Sequence, residues 1–428
     1  MEEGEELKPE KAANACDDYY ARSDVIYSLH DRPAFFTSLI VALQHLFAIF
    51  VGIITPPLII CGALGLGVRE TGYLVSMALF VSGAATFIQA RRFGPVGSGL
   101  LSIQGTSFSF LSCIIAIGKS GGLSLVFGVC LAGSSVEMVL SRFLRFARKI
   151  ITPLVSGIVV TMIGMSLVKV GVVSCAGGFA AQRMGTFGHP GYLGLAGLVF
   201  VTIVALNRCG NKYLRMSSVI VGLAVGYGLA CCTGMVDFSP LEKLERVNVP
   251  VPFKYGLSFN FPALVPVCLI YLITTIESIG DLTATSMVSR EPVEGELYMK
   301  RIAGGVLGDG FNSAFAAVFN SFPNTTFSQN NGVIQITGVA SKYIGYYIAG
   351  LLALLGLFPV VGGFFSLMPE PVLGGGTLIM FGTVAAAGIK IIASTRIDRR
   401  AVTIMAIAFS LGLGVEMVPE VLNSLPKL

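Results

Sequence analysis

Apolar runs of about 20 residues, the length an α-helix needs to cross ~30 Å of hydrocarbon, recur along almost the whole chain with short polar connections between them. Thirteen spans are predicted, near residues 35–60, 71–90, 99–118, 121–141, 150–171, 191–207, 215–235, 260–284, 303–320, 324–340, 343–368, 372–393 and 400–417. Two of them break the pattern. The third carries "GLLSIQGTSFSF" (Gly99 to Phe110) and the tenth "PNTTFSQNNGVIQITG" (Pro323 to Gly338), both crowded with Gly, Ser, Thr, Gln and Asn. Irregular backbone persists at membrane depth only where protein or a cavity covers it, because unpaired N–H and C=O groups cost several kcal/mol each in lipid. Both segments therefore predict broken helices that meet near the midplane, each offering a half-helix N-terminus and its partial positive charge to whatever binds between them.

An internal repeat relates these two segments. "PLVSGIVVTMIG" from Pro153 returns as "PVLGGGTLIMFG" from Pro371, 218 residues later, and "TSFS" from Thr106 returns as "TTFS" from Thr325, 219 residues later. A unit of that length holds seven spans. Because seven is odd, the two copies lie upside down relative to each other, an arrangement found in secondary transporters. The expected fold class is an all-α polytopic membrane protein of two inverted seven-span repeats. Of the fourteen spans about thirteen are counted, because the chain stops at "NSLPKL" where the last is expected.

Composition agrees with the pattern. The 428 residues are 54% hydrophobic and only 12% charged, far from the roughly 25% charged usual in soluble domains, and the mean hydropathy is +0.79. Residues 1–32 are acidic and polar without an apolar cleavable leader, so they are expected to form a cytosolic tail, with the first span as the insertion signal. Seventeen Lys and Arg occupy the even-numbered loops against seven in the odd ones, which places the N-terminus in the cytoplasm. The net charge of +5 is scattered singly or in small loop groups and does not form a nucleic-acid surface. The nine cysteines lie mostly inside spans with no CxxC or Cys/His spacing, so neither a metal nor another cofactor is expected.

Within this apolar background, "LITTIESIGDLTAT" places Glu277 and Asp281 one turn apart on one helix face. A carboxylate in a span costs at least about 2.5 kcal/mol, and the usual reasons to keep one are substrate binding and proton handling. A structural hydrogen bond is the competing reading, more so for Asp281. Asp309 in "GGVLGDGFNS" is a third intramembrane acid, placed either to tie spans 8 and 9 together or to move protons. His45 in "QHLFAIF" is a packing residue or a partner for one of these acids. Phe108 is a packing aromatic or, beside a half-helix end, a surface on which a flat ligand stacks.

These segments, together with "GPVGSGLLSIQGTSFSF", "ITPLVSGIVVTMIGMSL", "ESIGDLTATSMVS" and "FSQNNGVIQITGVASKYIG", resemble the nucleobase/ascorbate transporter family and, within it, the bacterial xanthine permeases. The resemblance runs from about Asp31 to the C-terminus. It implies short β-strands in the two broken helices and division into a core and a gate domain, usually as a homodimer. On the present spans the core would comprise residues 33–145 and 251–368, and the gate residues 146–250 and 369–428. It further implies proton-coupled purine uptake by an elevator movement across a bacterial cytoplasmic (inner) membrane. On matching positions Glu277 and Gln329 would hold the purine edge, Phe108 would stack on its face, and the Ser107 backbone would add a hydrogen bond. Asp281, Asp309, Asn330, Thr337 and His45 would support the site or the proton path. The chemistry suits xanthine: a carboxylate accepts from ring N–H groups, and the Gln329 amide both donates and accepts. Uracil-transporting members carry Glu at the position of Gln329, while Ser107 stands where some xanthine permeases have Asn, which leaves xanthine against uric acid open.

Two other readings compete. Facing half-helix N-termini suit an anion transporter on the same fold, but a carboxylate beside them repels anions. An intramembrane enzyme finds no zincin motif, no Ser/His/Asp set and no phosphate-cradling loop to support it.

Overall fold

The computed structural model describes residues 25–144, 153–211, 214–215, 217–243, 247, 249–393, 395 and 397–418. Most of the expected N-terminal tail, the expected core–gate junction at 145/146 and the last ten residues, where the short C-terminus was read, lie outside the described residues. The described part of the chain is mostly helical. Its elements in order are α1 (Phe35–Leu64), α2 (Val68–Arg91), β1 (Gln104–Thr106), α3 (Leu111–Gly133), α4 (Ser135–Leu140), α5 (Pro153–Cys175), α6 (Gly178–Met184), α7 (Pro190–Asn207) and α8 (Ser218–Cys232). There follow α9 (Phe261–Val288), α10 (Gly295–Val318), β2 (Asn324–Thr326), α11 (Gln329–Thr337), α12 (Lys342–Leu357), α13 (Pro359–Ser366), α14 (Glu370–Ala393) and α15 (Arg399–Met417). Among the described residues, eight helices are long and apolar enough to cross a membrane, or nine if one bent pair counts as a single span.

The departures from simple spans have local causes. The bent pair is α12 and α13, which meet at 76°. Pro359 opens α13, and a proline both lacks the N–H that would continue the helix and pushes the residue before it out of helical geometry; Phe358 accordingly sits at φ −101°, ψ 102°. The third and fourth spans run together as α3, broken at Gly122, whose φ of 71° and ψ of −171° lie outside any helix. Only a residue without Cβ adopts that backbone cheaply.

Helices α5 and α14, the pair that carries the Pro153/Pro371 repeat, pack antiparallel with their backbones nearly touching. A Cβ on Gly164 would stand 2.3 Å from the Ala385 nitrogen, one on Gly388 2.3 Å from the Thr161 nitrogen, and one on Gly374 2.3 Å from the Cys175 nitrogen. Membrane helices associate through such small-residue seams because lipid gives no hydrophobic drive to hold them together. Gly388→Val forces this seam apart. The expected result is a destabilisation of about 1–3 kcal/mol or more, seen as a lower melting temperature of the detergent-solubilised protein and less of it in the membrane.

Candidate functional site

The two broken spans cross at a two-stranded antiparallel ladder. Gln104 pairs with Thr326, Gly105 with Thr325 and Thr106 with Asn324. On either flank the backbone continues the pattern: the Ser107 N–H donates to the Pro323 carbonyl at 2.9 Å, and the Phe327 N–H donates to the Ile103 carbonyl at 3.0 Å. These two bonds are images of one another, Ser107 standing for Phe327 and Pro323 for Ile103, each a step of 220 residues. The backbone symmetry thus lies one residue away from the 219-residue match of the "TSFS" side chains, because ladder hydrogen bonding sets the register and side-chain likeness does not. Gly105 is required at the crossing: a Cβ there would meet the Phe327 ring at 2.5 Å and Ile53 at 2.9 Å.

Each strand feeds a helix, so two helix N-termini face the crossing. After β1 the Ser107 hydroxyl accepts from the Ser109 N–H at 3.3 Å and starts a 3-10 turn, Phe108–Phe110, which runs into α3. After β2, Ser328 precedes α11, whose first residue is Gln329. Free N–H groups at both ends give the crossing a positive potential.

Helix α9 lies across this crossing and supplies the acids. Glu277 is half-buried, and its Oε2 accepts from the Ser109 hydroxyl at 3.2 Å. One turn on, Asp281 Oδ2 accepts from the Thr326 hydroxyl at 3.2 Å. The acid pair is thus tied to both broken spans, Glu277 to the first and Asp281 to the second. Phe108 is half-buried, its ring edge-on to Phe381 of α14 at 5.4 Å and 83°. Gln329 and Ser328 are exposed. The Ser107 N–H is spent on Pro323 and its hydroxyl on the Ser109 N–H.

The remaining candidates fall into a deeper layer. Asp309 of α10 is fully buried; Gln89 of α2 donates to its Oδ1 at 2.6 Å, and the Ser278 hydroxyl donates to Oδ2. Gln89 also donates to the Gly305 carbonyl and accepts from the Ser98 N–H. Asp309 therefore ties the eighth and ninth spans together and binds the second as well. Asn330 is buried, and its amide donates to the Leu101 carbonyl, joining α11 to the segment before β1. His45 of α1 is fully buried beside Asn330; neither ring nitrogen bonds to one of the acids. Thr337 lies at the far end of α11, about 12 Å along the axis from Gln329. It serves that end: its hydroxyl donates to the Val333 carbonyl and accepts from the Val339 N–H.

Sequence reasoning passed over Ser109, Thr326 and Gln89, hydroxyl and amide groups whose relevance lies wholly in which acid they meet. It also passed over Glu137, a buried acid on α4 whose Oε1 accepts from the Thr274 hydroxyl at 2.6 Å. The signal for Glu137 was present: it stands inside "LAGSSVEMVL", at the end of the fourth span.

A family model described as a permease family (Xan_ur_permease) matches residues 36–421, nearly the whole chain. The chain belongs to the nucleobase/ascorbate transporter family. Xanthine permease XanP of Escherichia coli K12 is 51% identical over 416 residues, covering 95% of this chain and 90% of that protein. Xanthine permease XanQ of the same strain is 49% identical, covering 95% and 89%. A putative purine permease of Clostridium perfringens, CPE0397, is 37% identical, covering 94% and 88%. Among solved structures, the transmembrane domain of the cyanobacterial bicarbonate transporter BicA superposes with a TM-score of 0.59 at 15% identity, covering 91% of this chain and 98% of that one. The anion transporter SLC26A9 gives 0.58 at 12% identity, covering 90% and 64%. At such identities the likeness is one of fold: this nucleobase/ascorbate transporter family member has the same 14-span architecture. It is a multi-pass transport protein of the inner membrane.

Proposed function

We propose that this permease imports xanthine together with protons, by an elevator-type movement of a core domain against a gate domain in a bacterial inner membrane. The observation that carries the reading is Glu277, a half-buried carboxylate whose helix crosses the two broken spans, held by Ser109 of the first, with Gln329 opening the helix of the second. A neutral heterocycle rimmed by N–H and C=O groups matches that set: Glu277 accepts from ring N–H groups, and Gln329 pairs with a mixed edge. Phe108, next in sequence to the Ser109 that holds Glu277, would stack on the ring face. Identities of 51% and 49% to two proteins named xanthine permeases favour xanthine over other purines. Uric acid or another oxidised purine is the alternative within the same chemistry. The anion transporters that share the fold do not share this reading, because an anion beside Glu277 would be repelled.

The division into core (33–145, 251–368) and gate (146–250, 369–428) draws support from contacts of two kinds. Both ladder strands and α9 lie on the core side, while α5 and α14 form the gate's glycine seam. Among the described residues, contacts join the two groups at the end that is external when the N-terminus is cytoplasmic. There the Tyr227 hydroxyl donates to the Phe364 carbonyl at 2.9 Å, and the Lys119 ammonium sits 5.2 Å over the Phe179 ring. At the same end Glu370 accepts from Ser174 at 3.0 Å and lies where a Cβ on Gly62 of α1 would meet it at 2.7 Å. Protonation of a site acid from outside would favour loading, and loss of that proton inside would favour release.

Uptake of labelled xanthine tests the whole reading, in bacterial cells stripped of their own purine permeases. Cells producing this protein are expected to accumulate xanthine against its gradient and to lose that accumulation when a protonophore is added. Accumulation indifferent to the protonophore removes proton coupling, and absence of uptake removes xanthine.

A further inference from the structure

Glu137 is used by nothing described so far. It lies on α4, 1% exposed, packed where a Cβ on Gly310 of α10 would meet its own Cβ at 3.1 Å. Its Oε1 accepts from the Thr274 hydroxyl at 2.6 Å. The groups facing it are Tyr271, Thr274 and Glu277 from α9, Asp309 from α10, and Cys130 of α3, whose carbonyl takes the Tyr271 hydroxyl.

Thr274 and Ser278 stand one turn apart on α9, as do Glu277 and Asp281. At 100° per residue the two stripes are about 60° apart around the helix. The deeper stripe is fully buried, and each of its hydroxyls meets an acid of another helix: Thr274 meets Glu137, and Ser278 meets Asp309. The outer stripe is the pair of ligand-facing acids. Few apolar side chains fix the rotation of α9: 28% of its most apolar window is buried, against 78% in α1 and α2, and its fully buried apolar residues are Val267, Tyr271, Leu282 and Val288. Hydrogen bonds to the deeper stripe add to these in setting where the outer stripe points.

We propose that Glu137 is a positioning residue for the substrate site, which acts through Thr274 to hold α9 at the rotation that aims Glu277 at the ligand. The assignment rests on the reading of Glu277 as the purine-binding carboxylate. Asp309 and Ser278 form the second strut of the deeper stripe, so removing Glu137 leaves that stripe held by an acid at one of its two hydroxyls.

The test compares E137A, E137Q, T274V and the double variant E137A/T274V, each corrected for the amount of protein in the membrane. E137A and T274V are each expected to raise the KM for xanthine roughly tenfold, the size of one lost hydrogen bond to a charged group, with Vmax much less affected. E137Q, whose amide oxygen still accepts from Thr274, is expected to stay near the wild-type KM. The double variant should be no worse than either single one, because both remove the same bond. Effects that add, a wild-type KM in E137A, or an E137Q as impaired as E137A would overturn the proposal. If E137A does not reach the membrane, T274V carries the test.

A second readout needs no substrate. Gly280 is exposed on α9, and a Cβ there meets nothing within 4 Å, so G280C in a chain freed of native cysteines reports helix rotation by its maleimide labelling rate. E137A and T274V are expected to change that rate and E137Q to preserve it; a rate unmoved by all three overturns the strut. A wild-type protein that fails to take up xanthine defeats the functional reading alone and leaves this labelling result to decide the role of Glu137.

Discussion

Glu277→Gln is expected to abolish high-affinity xanthine uptake, the activity proposed for this permease, while leaving the protein folded in the membrane. The carboxylate offers acceptors to the ligand's N–H groups, and hydrogen bonds to a charged group are worth about 1.5–3 kcal/mol each. The amide keeps one acceptor and turns an N–H donor towards another donor, so the expected loss in uptake efficiency is on the order of a hundredfold or more. The fold does not share that loss. Glu277 is half-buried and makes one side-chain hydrogen bond, from Ser109, which the amide oxygen of Gln still accepts. A charge inside a span costs about 2.5–3.5 kcal/mol on insertion scales, so the neutral variant should melt no lower than the parent. Uptake kinetics and thermal melting on the same preparation check both halves. Normal transport by Glu277→Gln would remove this residue from the site, and unfolding would make it structural.

Asp309→Ala has the opposite profile, loss of the folded protein. Two donors converge on this carboxylate, the Gln89 amide and the Ser278 hydroxyl, and all three side chains are fully buried. Removing the acceptors strands both donors away from water, at about 1–3 kcal/mol for each group left unpaired. Gln89 keeps its bond to the Gly305 carbonyl, so the larger penalty falls on Ser278. Asp309→Asn retains an oxygen for Gln89, and the Ser278 hydroxyl can turn to accept from the new amide. The alanine variant is expected at low levels in the membrane with a depressed melting temperature, and the asparagine variant near the parent in both. Alanine and asparagine variants of equal stability would show that the acid does not tie these helices together.

The sequence carried the membrane spans, their breaks and the position of the acids, because each follows from a one-dimensional rule. Apolar length marks a span, and polar clusters in the third and tenth spans mark interrupted helices; those clusters proved to contain β1 and β2. The acids stood out because a bilayer penalises them. What the sequence did not carry is pairing across space. Ser109 and Thr326 are common polar residues until α9 is laid across them, and Gln89 reads as the polar end of a span until Asp309 of the other repeat is placed against it. Glu137 escaped because it lies near a span end, where an acid usually reaches solvent, whereas α4 turns it inward against α9 and α10. His45 was read as a possible acid partner from its place in α1, but its neighbour is Asn330. Thr337 belongs to the same polar run as Gln329, yet nine residues of helix separate their ends.

The ladder joins the first repeat to the second at their common centre, and the α5–α14 seam does so again elsewhere. On the proposed division into core and gate, each body therefore holds one part from either copy of the duplication. Any sliding surface between those bodies must run across the ancestral unit and not between its two descendants, so a single ancestral copy would have had neither half of the machine complete without a twin inserted the other way up.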